Sequence, residues 1–131
     1  MTDQALVEIA FSMLERAYCP YSRFPVGAAL LCADGTVFTG CNVENAAFGQ
    51  AICAERTALV KAVSEGRRDG FVALAIAGTC QDFCWPCGAC RQMLYEFAPE
   101  LRVLAANRDH SFVQLPLSRL LPHGFGPQSL A

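Results

Sequence analysis

The sequence carries little charge and only a slight acidic excess. Of its 131 residues, 10 are Lys or Arg and 12 are Asp or Glu, for a formal net charge of −2. A nucleic-acid binder needs a basic face to neutralise phosphates, and none is present. The one pair of adjacent arginines, Arg67-Arg68, is flanked by Glu65 and Asp69 and reads as a solvated turn. No apolar run reaches membrane-spanning length. The start, Met1-Thr2-Asp3-Gln4, lacks the basic residues and continuous apolar stretch of a signal peptide, so a cytoplasmic location is expected. There is no internal repeat and no low-complexity tract. With 53% apolar and 17% charged residues, the chain is expected to fold as one domain over residues 1–131, with one buried core.

Cysteine, by contrast, is plentiful at eight residues. An even number admits a secreted disulfide framework. That reading is set aside because the aliphatic content makes staples unnecessary. The cysteines also fall inside apolar periodic segments as well as in turns. In a reducing cytosol they stay as thiols.

Hydrophobic periodicity supplies the elements. Leu6, Ile9, Ala10, Met13, Leu14 and Ala17 recur at helical spacing, predicting a helix over 3–17 capped by Thr2 or Asp3 and ended by Cys19-Pro20. Residues 26–32 and 37–41 read as strands joined by a tight hairpin at Asp34-Gly35. A polar loop follows over 42–50, then a helix over 52–63 closed by Gly66 and Gly70. The near-continuous apolar run over 71–78 suits a strand buried on both faces. A loop over 79–86 leads to a helix over 88–97, ended by Pro99. Strands over 101–106 and 111–115 follow, then a helical turn over 117–121 and an irregular tail. This order predicts a three-layer α/β/α sandwich on a mixed five-stranded sheet.

Two stretches carry chemistry. Cys87 and Cys90 are three positions apart, which at the start of a helix places both sulfurs on one side, within reach of one ion. A Cys-x-x-Cys pair can also be a redox couple, but that motif belongs near the first strand of a βαβ unit and this pair comes late. Cys53 heads the other crossover helix and offers a third thiol. Three protein ligands leave the fourth tetrahedral position of a zinc ion open, as catalysis requires. Three thiolates on a divalent ion leave one excess negative charge. Two helix N-termini and Arg56 are placed to offset it, although Arg56 alone also reads as a surface cation. Glu55 is the natural proton carrier beside such a site. Residues two apart do not share a helical face, so Cys53 and Glu55 can converge only if Cys53 sits at the helix mouth.

Four motifs, taken in order, resemble the cytidine deaminase family in its short, homotetrameric, zinc-dependent form. They are Phe24-Pro25-Val26-Gly27-Ala28-Ala29-Leu30, Cys41-Asn42-Val43-Glu44-Asn45, Cys53-Ala54-Glu55-Arg56-Thr57-Ala58 and Pro86-Cys87-Gly88-Ala89-Cys90-Arg91-Gln92. The resemblance covers nearly the whole chain and implies a cytidine deaminase-like fold with one zinc per subunit on Cys53, Cys87 and Cys90. It implies hydrolysis of cytidine and 2′-deoxycytidine to the uracil nucleosides and ammonia, a step of pyrimidine salvage. Glu55 then matches the acid/base at N3 and C4 of the pyrimidine. Asn42 and Glu44 match the ribose-binding residues, Phe24 the aromatic that packs on the base, and Ala54 a backbone contact to the pyrimidine carbonyl. Phe125 and the loop around Phe48 match residues given to a neighbouring subunit's site, which would place 117–131 at a subunit interface. The implied partners are a small nucleoside and further copies of the chain, with no nucleic acid and no membrane.

Taken without the resemblance, Asn42 and Glu44 could hold vicinal hydroxyls but read sooner as an Asx-type turn, and Phe24 sooner as core. Trp85 stands where the family more often has a small residue, and Phe48 where tyrosine is common. Cys84 extends the thiol pattern to Cys84-x-x-Cys87-x-x-Cys90, with Cys80 nearby, and leaves open a closed four-thiolate zinc site. Two other readings also stand: a deaminase of another cytosine-bearing nucleoside such as an antibiotic, and a structural-zinc module without turnover.

Overall fold

A computed structural model describes residues 1–131. Its first helix, α1 (Asp3–Ser12), is capped by Thr2, whose hydroxyl accepts from Ala5 N–H at 3.1 Å. It is shorter than the periodicity predicts. At Met13 the chain tightens, its N–H donating three residues back to Ala10 O, and Leu14–Arg16 form one 3₁₀ turn. The turn frees Tyr18 to bridge Val43, with Tyr18 N–H donating to Asn42 O at 2.9 Å.

Strands β1 (Val26–Cys32) and β2 (Val37–Cys41) form the expected hairpin, with Gly35 at φ 92° in the turn. Then come α2 (Ala54–Ser64), β3 (Phe71–Gly78), α3 (Gly88–Phe97), β4 (Arg102–Ala106), β5 (Phe112–Pro116) and α4 (Leu117–Leu120). The sheet order is β2-β1-β3-β4-β5. Of its pairs only β3–β4 is parallel. The crossover through α3 links neighbours, whereas the one through α2 leaps over β1.

The layers follow from strand alternation. On β3, Ala73, Ala75 and Ala77 face α1 and pack with Leu6, Val7 and Ala10. Leu74 and Ile76 face the other way, into the cluster of Ala58, Leu59 and Leu94 from α2 and α3. A strand buried on both faces has no polar alternation to show, which is why its sequence reads as a continuous apolar run. No helix of the chain is long and apolar enough to cross a membrane.

One contact sets the height of α2 above the sheet. A Cβ at Gly40 on β2 would lie 2.3 Å from Ala54 O and 2.6 Å from Ala58 N. Only glycine lets the strand pass beneath the first turn of this helix. Gly40→Ala is therefore expected to cost about 1–3 kcal/mol in urea unfolding. Gly49→Ala, whose added Cβ meets nothing within 4 Å, is expected to change stability by less than about 1 kcal/mol.

Candidate active site

The site lies where β1 begins and β3 ends, since Val26 pairs with Gly78. The mouths of α2 and α3 open over that end of the sheet. Cys53 is the N-cap of α2, with extended backbone at φ −75° and ψ 157°. Ile52, expected to be helical, instead bridges Val43. Because Cys53 is outside the helix, its side chain escapes the 100° step that would separate it from Glu55. Cys87 is the N-cap of α3, at φ −67° and ψ 168°, and Cys90 lies in its first turn.

The three sulfurs lie within 4.8 Å of one another, with Cys53–Cys87 at 4.0 Å and Cys87–Cys90 at 3.6 Å. Cys90 is buried, Cys53 half-buried and Cys87 exposed. The Cys53 thiol is pulled down to about 6, first by its hydrogen bond from Cys90, with Cys87 and the positive charge of Arg56 adding to it. Cys90 is pushed up by the same bond and by burial. Glu55 is only 5% exposed. Burial pushes its carboxyl up to about 7, and the negative charge of Cys53 adds to the shift.

This set suits a soft divalent metal. Three converging thiols are a zinc donor set, and both helix mouths present partial positive charge to them. The Arg56 Nε is buried without a hydrogen-bond partner. Thiolate sulfurs, which accept far better than thiols, would satisfy a donor on the cation that acts on Cys53. Cys84 does not join the group. It is buried near Gly78, where its sulfur would lie 3.3 Å from an added Cβ. Burial raises its pKa well above the usual thiol range. The four-thiolate arrangement therefore does not form.

A cavity of about 190 Å³ opens beside the thiols. Phe24, Val26, Ile76 and Trp85 make its apolar walls, with Asn42, Ala54, Glu55 and Cys84 also facing it. A second hollow of about 260 Å³ is formed by Tyr21, Ser22, Glu44, Asn45, Phe48 and Ala51.

Residues 1–106 match the sequence model described as the cytidine and deoxycytidylate deaminase zinc-binding region. The chain belongs to the cytidine and deoxycytidylate deaminase family. It is 47% identical to a cytidine deaminase of Halalkalibacterium halodurans, over 99% of this chain and 98% of that one. It is also 47% identical to a cytidine deaminase of Sporosarcina psychrophila, over 100% and 96% of the two chains. The crystal structure of cytidine deaminase from Burkholderia pseudomallei superposes with a TM-score of 0.93 at 47% identity, covering 95% of this chain and all of that one.

Within this deaminase fold, the residues expected to meet substrate are divided. Phe24, Asn42 and Ala54 join the thiols and Glu55 at the first cavity, whereas Glu44 and Phe48 line the second hollow. Phe125 lines neither. It is 57% exposed, and its carbonyl accepts from Gln92 Nε2 at 2.7 Å. Asn42 is tied to the backbone of the opposite segment: Oδ1 accepts from Val26 N–H and Nδ2 donates to Phe24 O, both at 2.9 Å. Glu44 accepts from Tyr21 N–H at 3.0 Å, Ser22 N–H at 3.1 Å and the Ser22 hydroxyl. The hydroxyl contributes most to holding its pKa below the usual carboxylate value. The Asx turn of this stretch forms at Asn45, whose Oδ1 accepts from Ala47 N–H at 2.9 Å.

Sequence reasoning missed Ser22 and Tyr21, which clamp Glu44, and it read Val26 and Ile76 only as strand. Val26 also stands in the first of the four family motifs, whereas Ile76 carried no signal beyond its place in the apolar run. In the zinc-stripped protein, Cys53 is expected to alkylate with iodoacetamide at pH 7 faster than buried Cys84. Its rate should rise as pH passes about 6, and added Zn²⁺ should suppress it. Peptide mass mapping reads each site.

Proposed function

We propose that the chain hydrolyses the 4-amino group of cytidine and 2′-deoxycytidine, yielding the uracil nucleosides and ammonia. The observation that carries this is a buried carboxyl, Glu55, held near neutrality beside three converging thiols at the mouth of an apolar cavity. Cys53, Cys87 and Cys90 would hold a zinc ion, which would supply the Lewis acidity that makes water a competent nucleophile near neutral pH. Glu55 accepts a proton from the attacking water and delivers it to N3 of the pyrimidine. It then takes the proton of the new C4 hydroxyl and passes it to the amino group, which departs as ammonia as the C4 carbonyl forms. A pKa near ambient pH suits a group that must both take and give. Arg56 offsets the excess charge of the thiolates. A closed structural site would have no use for a buried carboxyl at its edge.

The remaining roles follow the cavity's shape. Phe24 and Trp85 form apolar walls for the flat base, and the backbone of Ala54, at the mouth of α2, meets the pyrimidine carbonyl. Asn42 keeps one lone pair and one N–H beyond its two backbone bonds, enough to meet a sugar hydroxyl. Glu44, with its carboxylate fixed by Ser22 and Tyr21, completes ribose recognition through the 3′-hydroxyl. These sugar contacts favour an ordinary nucleoside over a modified one.

Phe48 is 77% exposed, and with Phe125 it presents aromatic surface away from the thiol cavity. Such exposure suits a subunit interface. We assign the chain to a homotetramer in which Phe48 and Phe125 reach neighbouring sites and 117–131 lies between subunits. A reducing cytoplasm suits a site made of free thiols. Glu55→Gln is expected to keep one zinc per chain and lose about 10²–10⁴-fold in turnover. Metal analysis and ammonia release from cytidine, with and without a chelator, test this; near-normal turnover would remove Glu55 from the proposed role.

A further inference from the structure

The three thiols are not held equally. Cys90 is buried within α3. Cys53 is secured through its carbonyl, which accepts from Thr57 N–H at 3.0 Å and Thr57 Oγ1 at 3.1 Å. Cys87 is exposed, so the position of its sulfur depends on its backbone. That backbone is gripped by Arg91, a part-buried residue of α3. Arg91 N–H donates to Cys87 O at 3.0 Å, and its Nε donates to Pro86 O at 2.8 Å. The first is the helical backbone bond that any residue at this position makes; the second, from the guanidinium to the carbonyl just before Cys87, is the arginine's own. The guanidinium continues outward, with Nη1 donating to Leu120 O at 2.8 Å. Leu120 ends α4, whose last carbonyls have no partner within so short a helix.

We propose that Arg91 is a positioning residue for the reaction: it fixes the Pro86–Cys87 peptide, keeps the exposed thiol aimed at its two partners, and ties that aim to the end of α4. This rests on the reading of the three thiols as the zinc site. The fork of a guanidinium suits the task, because its Nε and Nη1 point in fixed, different directions and meet two carbonyls together. Lysine can hold only one of them well. Loss of Arg91 leaves Cys90 and Cys53 in place and loosens the ligand that solvent already reaches. The effect falls on metal retention and on the chemical step more than on nucleoside binding.

Arg91→Ala, Arg91→Lys and Arg67→Ala, each as zinc-loaded protein, test this. Arg67 is the control, since its guanidinium binds Asp34 and Thr36 beyond the far end of α2. Zinc release to an excess of chromogenic chelator is timed at equal distances below each melting temperature. Cytidine kinetics and the thiolate-to-metal absorption of Co²⁺-substituted protein are read alongside. Arg91→Ala is expected to release zinc at least about tenfold faster than the unaltered protein and to lower kcat by a similar factor. KM should stay within about twofold, the cobalt band should shift, and Arg91→Lys should fall between. Zinc release by Arg91→Ala within about twofold of the unaltered protein would overturn the proposal. So would an Arg67→Ala protein that releases zinc as fast. If the unaltered protein holds no zinc, the metal reading itself fails, an outcome separate from either.

Discussion

Two helix mouths meeting at one end of a sheet are the constraint on which the rest depends. The N-caps of α2 and α3 are both cysteines, and their sulfurs lie 4.0 Å apart. Four unpaired N–H groups at each helix start bring partial positive charge to the sulfurs. Gly40 lets β2 pass under α2, and on β3 the residues facing these helices, Leu74 and Ile76, alternate with alanines that accept α1 behind.

The same convergence gives Glu55 its character. A carboxyl in the first turn of an exposed helix ordinarily stays ionised and favours the helix dipole. Here the opposite helix and the strand ends close over it until 5% of its surface remains exposed. Desolvation outweighs the helix N-terminus, and the group titrates near neutrality. Neither the residue type nor its place in the helix would produce this without the neighbouring layer.

Much of this was legible in the chain itself. All five strands were readable to within a residue or so, because alternation and the Asp34-Gly35 turn leave direct marks. The start of α2 was misread by two residues, since Ile52 is as apolar as its helical neighbours and only its bridge to Val43 shows it to be extended. The end of α1 was overrun because Met13, Leu14 and Ala17 keep helical spacing after the backbone has left the helix. Glu44 and Phe48 could be marked by resemblance. Their placement in a hollow apart from the thiol cavity, and the clamp from Ser22 and Tyr21, could not, because these contacts join segments more than 20 residues apart.

By itself the sequence determined the donor set, the spacing of Cys87 and Cys90, the order of elements and the family pattern. These are local properties, carried by residue type and short-range periodicity. Only the tertiary structure decided how closely the three marked thiols converge, that Cys84 stands apart, and that Arg91 reaches from the Cys87 loop to Leu120. The physical reason is that a metal site is a relation between helix ends brought together by long-range packing. Packing depends on volumes and clearances, such as the missing Cβ of Gly40, which no spacing along the chain records.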